Sequence, residues 1–262
     1  MFLLHQLAES FRFAWQALRS NILRTMLSLL GVTVGIFAIV AVFTMVDSLE
    51  RNIKNSLSFV GDKVIYVNKW PWVFSGEYEW WKYFQWPNPS YAEYRYLKDH
   101  LENATAIAAI DSRSNITVKS GSNDIKAQVL GMTYEYNLIS DIPIVKGRYF
   151  MPTDIEASRN YAILGAEVAE TLFPSVDPVG QPFKIGNNNF IVLGVQEKMG
   201  KSLIDFNGDP DLKCYIAFGA FAKMYHTRRA SPTLVVKGQE SDIGLEELEA
   251  EITGLMRTKR GL

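Results

Sequence analysis

The chain has 262 residues, nearly half of them hydrophobic, and a net charge of −1. That near-neutral balance leaves no broad electrostatic case for a nucleic-acid partner. The single cysteine excludes an internal disulfide framework, and the apolar setting of Cys214, in LKCYIAF, points to a buried, inert thiol.

The first twenty residues place Leu4, Leu7, Ala8, Phe11, Trp15 and Leu18 at helical spacing, with Gln6, Glu9, Arg12, Gln16 and Arg19 on much of the other face. Such a cytoplasmic amphipathic helix (residues 1–20) either lies in the headgroup layer or packs inside a larger membrane complex. A transmembrane helix is expected over 21–47. No charge falls between Arg24 and Asp47, and as a helix the apolar run Thr25–Val46 would span about 33 Å, enough for a bilayer core. Arg12, Arg19 and Arg24 precede it, whereas Asp47, Glu50, Arg51 and Lys54 nearly cancel after it. Basic residues stay on the cytoplasmic side, so the N-terminus is expected there and the rest outside. A cleaved signal peptide fits poorly: the run is too long and no small-x-small site follows it. Gly31 and Gly35 form G-x-x-x-G, with Ser28 extending the small face, which marks them as candidates for close helix contact.

Residues 48–262 read as one extracytoplasmic region with a core in one or two lobes, two being expected. Strands are predicted at Val64–Val67, Thr105–Ile110, Asn115–Lys119, Asp124–Leu130, Tyr161–Leu164, Phe183–Ile185, Phe190–Val195, Lys213–Ala217 and Thr233–Val236. Ser120-Gly121-Ser122-Asn123 and Gly186-Asn187-Asn188-Asn189 read as hairpin turns. Helices are predicted over Ser90–Leu101, Ala166–Leu172 and Ile243–Met256. The first opens with a Ser90–Glu93 capping box, and Tyr91, Tyr94, Leu97 and Leu101 share a face. Without a regular βαβ rhythm the class is α+β.

The segment Trp70–Trp86 holds Trp70, Trp72, Trp80, Trp81 and Trp86, with Phe74, Tyr78, Tyr83 and Phe84. Tryptophan supplies large contact area at low rotamer entropy, so these rings are candidates for a partner or cargo surface. The alternatives are contact with the outer leaflet, or a long loop whose rings fold into their own domain.

Other patterns fall short. Gly194 to Gly200-Lys201-Ser202 resembles a phosphate loop, but five residues separate the glycines where four are required, and Gly194 lies within a predicted strand. Asp205, Asn207, Asp209 and Asp211 alternate as calcium ligands do, but Pro210 and Ile216 stand where glycine and glutamate are needed. His5, His100 and His226 are scattered, and no nucleophile or metal motif occurs. Neither catalytic residues nor a metal or cofactor site is expected. Asn103 and Asn115 open glycosylation sequons, which matter only in a eukaryotic secretory setting.

Taken in order, several stretches resemble MacB/FtsX-type ABC transporter permeases. Leu18-Arg19-Ser20-Asn21, Arg24-Thr25 and Leu30-Gly31 with Gly35 match the opening of that family's first transmembrane segment. Lys146-Gly147-Arg148-Tyr149-Phe150 with Asp154 is similar to its GR-x-F…D signature. Ala162-Ile163-Leu164-Gly165, Ala169-Glu170, Leu172-Phe173 and Asp177-Pro178-Val179-Gly180 resemble V-x-G…A-x-x-LF…DP-x-G, and Phe190–Val195 the strand after it. The resemblance implies a permease subunit of the bacterial inner membrane, with a MacB-like periplasmic core domain over 48–262. It implies a dimer with a second permease chain, a cytoplasmic ABC ATPase partner that binds the ATP, and a possible periplasmic adaptor or cargo. ATP hydrolysis would move the outer domain, by mechanotransmission, for export or efflux. Relatives carry three more membrane helices, so an N-terminal part of a permease is expected. The alternative is a single-pass, membrane-anchored periplasmic interaction or sensing module. An anchored enzyme ranks last, since it would need a pocket gathering residues such as His100, Asp205 and His226.

Overall fold

The computed structural model describes residues 6, 9–10, 12–13, 15–16, 19, 21–58, 63–70, 80–200, 208–225, 231–239, 241–242 and 245–262. The helix expected over 1–20 lies largely outside them. The chain divides into two units, residues 1–54 and 55–262.

The first unit is built on helix α1, Ile22–Ser58. Its candidate membrane span is Ile22–Arg51, and none of its most apolar stretch is buried within the protein. The helix runs past Asp47 because LERNIKNSLS holds no proline or glycine to end it. At 1.5 Å per residue it is about 55 Å long, more than a bilayer core requires. Thr33 Oγ1 donates to the Leu29 carbonyl at 2.7 Å and Thr44 Oγ1 to Val40 at 2.8 Å. Both hydroxyls are thus satisfied within the helix, as a lipid setting demands.

The second unit is one mixed sheet with helices on both faces. The elements are β1 (Val64–Val67), α2 (Trp80–Phe84), α3 (Tyr91–His100), β2 (Ala104–Ser120), β3 (Asn123–Met132), α4 (Tyr136–Ile139), β4 (Ile144–Gly147) and α5 (Pro152–Glu156). They continue with β5 (Tyr161–Leu164), α6 (Ala166–Leu172), β6 (Pro182–Ile185), β7 (Asn188–Gln196), a 3₁₀ turn (Pro210–Leu212), β8 (Lys213–Ala217), α7 (Phe218–Met224), β9 (Thr233–Gly238) and α8 (Glu246–Arg260). The strand order is β1-β9-β2-β3-β8-β5-β7-β4, with β6 pairing β2 and β7. Pairs β3–β8 and β5–β7 are parallel and the rest antiparallel. Residues 55–262 form one compact unit rather than the expected two lobes, because β2, β3 and β8 run through the middle of this single sheet.

The core follows the two-residue alternation of strands. Leu130, Met132, Ile163, Tyr215 and Val235 point to one face, with Tyr136, Ile139 and Phe150 over them. Their sequence neighbours Val129, Ala162, Leu164, Cys214 and Ile216 point to the other, beneath α6 and α7. Farther along that face Ile107, Leu234 and Val236 pack on Leu97 of α3 and on Leu248, Ile252 and Met256 of α8. Burying Phe190 or Phe221 contributes about 2–3 kcal/mol each.

Several predicted elements change. Thr105–Ile110 and Asn115–Lys119 are one strand, β2, interrupted by a bulge between Arg113 and Ile116 where Asn115 has φ +63°. The last helix begins at Glu246, not Ile243, and runs to Arg260; Leu245 stands before it at φ +59°. Asp242 accepts the Leu248 N–H at 3.2 Å and so holds the first turn. Both hairpins form as expected, Gly121 taking φ +59° at the first central position of its turn.

Candidate functional site: membrane helix, tryptophan surface and an aromatic cleft

Gly31 and Gly35 lie on the exposed helix α1, one turn apart. A Cβ added at either position would meet nothing within 4 Å. The face carrying them is therefore open to another helix, and nothing within this unit requires glycine there.

The tryptophans follow β1 and surround α2. Trp72 lies outside the described residues, and Trp80 opens α2. Trp81 and Trp86 are 54% and 55% exposed, Phe84 is 67% exposed and Trp70 39%. Lys69 gathers part of this group: its Nζ donates to the Phe84 carbonyl at 3.0 Å and lies 5.4 Å from the Trp70 ring centroid and 5.5 Å from that of Phe84. Tyr83 and Trp86 meet edge to face at 5.1 Å. These described rings are not folded into the core. They present a mixed aromatic and cationic surface.

The signature around Asp154 is built for support. Asp154 is 1% exposed, yet its carboxylate accepts from Arg148 Nη1 and Arg159 Nη1, both at 2.9 Å, and from the Met151 N–H at 3.1 Å. Burial alone would raise its pKa, but the Met151 amide and the two guanidinium groups hold it below the usual value. Gly147 has φ +77°, and a Cβ there would stand 2.3 Å from the Leu193 carbonyl oxygen. At Asp177-Pro178-Val179-Gly180 the Gly180 N–H donates to the Val192 carbonyl at 2.8 Å, docking the turn after α6 onto β7.

The near-motifs resolve into packing. Met199 and Gly200 direct their N–H groups at the Asp211 carboxylate, at 3.0 and 2.9 Å, so these amides face an anion the protein itself supplies. Asp209 accepts from the Asp211 N–H at 3.0 Å and caps the 3₁₀ turn. Asp205, Asn207, His5 and His226 lie outside the described residues, and His100 caps the end of α3 by contact with the Tyr96 carbonyl at 2.8 Å. Among the described residues no group of three His, Cys, Asp or Glu is placed to hold a metal ion. Burial pushes the Cys214 thiol up to about 12, as expected for an inert core cysteine.

One concave site has no counterpart in the sequence reading. Between α3, α4, α5 and α7 lies a cleft of about 550 Å³, lined by Tyr91, Tyr94, Tyr134 and Phe218 with Lys98, Glu135 and Glu156. Tyr91 shares the apolar face of α3 but is 42% exposed, and it lines the cleft.

The comparisons with known proteins agree with this architecture. The protein named macrolide export ATP-binding/permease protein MacB of Rhodospirillum rubrum is 29% identical over 255 residues, covering 97% of this chain and 38% of that protein. The pyoverdine export ATP-binding/permease protein PvdT of Pseudomonas aeruginosa is 26% identical over 265 residues, covering 98% and 37%. The chain thus spans less than two-fifths of the length of these relatives. The periplasmic region of MacB from Actinobacillus actinomycetemcomitans superposes with a TM-score of 0.59 at 16% identity, covering 77% of this chain and 86% of that one. The extracellular domain of the transporter YknZ from Gram-positive bacteria gives 0.56 at 19% identity, covering 66% and 85%. A family model described as the MacB-like periplasmic core domain matches residues 25–255, from the apolar helix to the last turns of α8. The chain belongs to the MacB-like periplasmic core domain family.

Proposed function

We propose that this chain is the N-terminal part of an ABC transporter permease, in which ATP hydrolysis by a partner moves the outer domain to drive export. The observation that carries this reading is the family match over 25–255, which takes in both the membrane-length helix and the sheet domain. The N-terminus is cytoplasmic and the domain periplasmic, consistent with the three arginines before the apolar run. The partners are a cytoplasmic ABC ATPase and a second permease chain, with Gly31 and Gly35 on a helix-contact face. The tryptophan surface takes an adaptor or cargo. No residue of the chain is assigned a catalytic role, and ATP belongs to the partner.

The test is to express the chain in its native operon context and purify it from membranes. Co-purification of an ABC ATPase, and protection of residue 10 but not residue 120 from protease added to spheroplasts, are the expected outcomes. Stable insertion with no ATPase attached would instead support a single-pass periplasmic module.

A further inference from the structure

The cleft between α3 and α7 has the chemistry of a cation site. Three aromatic rings meet there: Tyr91 stacks on Phe218 at 5.0 Å and 10°, and Tyr91 lies 5.1 Å from Tyr94. Two carboxylates line the same space, those of Glu135 and Glu156. The cleft already holds one cation in this manner. Lys98 Nζ sits 6.0 Å from the Tyr94 ring centroid and 2.5 Å from Glu135 Oε1, while Tyr94 Oη donates to Glu135 Oε2 at 3.1 Å. Glu156 has no ion-pair partner among the described residues. The lining therefore carries two negative charges against one positive, among aromatic rings, a side-chain type that attracts cations. The volume suits a small molecule, for which sites are commonly apolar clefts with a few convergent polar groups.

We propose that this cleft binds a small ligand with a positively charged head and a flat apolar body, the charge balanced by Glu156 and the body lying against Tyr91. The proposal stands apart from the permease reading, since the cleft lies wholly within the sheet domain. A neutral or anionic ligand of the same size gains nothing from the rings' negative faces and meets an uncompensated carboxylate.

The test uses the full chain in nanodiscs of zwitterionic lipid, titrated calorimetrically with benzyltrimethylammonium and, separately, with benzylsulfonate. Saturable binding of the cation, at least about tenfold tighter than the anion, is expected from combined cation–π and ionic attraction. Glu156→Gln and Tyr91→Ala should each weaken the cation by about fivefold or more. Lys98→Met should tighten it by about threefold or more, because the competing positive charge is removed and Glu135 is freed. A gain of affinity cannot arise from misfolding. Equal affinity for the two probes, no saturable binding, or weaker cation binding by the Lys98→Met variant overturns the proposal.

Discussion

Asp154 shows how one buried carboxylate organises a stretch of chain. Its oxygens join Arg148, before α5, to Arg159, after it, and hold the Met151 amide at the start of α5. Asp154→Asn should lower unfolding stability by about 2–3 kcal/mol, short of the value for a fully buried pair because both arginines are half in water. The pH dependence has a definite sign. A carboxylate whose folded pKa is lowered contributes fully above its ordinary value of 3.8 and loses that contribution as pH falls through the lower folded value. The native protein should therefore lose stability on acidification below about pH 4, and the Asn variant should show a flatter profile there in denaturant titrations at stepped pH. Gly147→Ala, which sets a Cβ against the Leu193 carbonyl at φ +77°, should cost more than about 1 kcal/mol by the same measurement.

The elements add cooperative links. Ser90 and Glu93 form the capping box of α3, and Glu93 Oε1 also accepts from Arg260 Nε at 2.7 Å. One side chain thus caps one helix and pins the end of another. Ser90→Ala should cost about 1 kcal/mol, and Glu93→Ala more, since it removes the cap's second half and leaves Arg260 without its acceptor. Equal losses in thermal denaturation would show that the link to α8 contributes nothing. In α1, Gly31→Leu and Gly35→Leu should abolish disulfide cross-linking between chains carrying cysteine at Ser28, whereas the helix itself should remain intact by circular dichroism. The capping box, both hairpins and the long apolar helix were legible from sequence because each depends on residues within a few positions. Strand β4 and helices α2, α4, α5 and α7 were not. Val145 is exposed at the sheet edge, so Ile144–Gly147 lacks alternation, and Phe218–Met224 follows β8 without a polar cap. The cleft escaped for a stronger reason: Tyr91, Glu135, Glu156 and Phe218 are brought together only by the sheet order.

At the scale of the molecule, the tryptophan surface carries both packing and contact. Replacing Trp70, Trp81 and Trp86 by serine should lower the melting temperature by several degrees, because each ring keeps about half of its surface covered, and should sharply reduce capture of the proposed partner in pull-down from native membranes. Retained capture would assign the surface no role in that contact. The strand pairing has a mechanical corollary. Strand β6 pairs with both β2 and β7, so β2, β3, β8, β5, β7 and β6 close into a ring of hydrogen-bonded neighbours. A closed ring has no free margin from which one strand can peel away, so these six strands yield together or not at all.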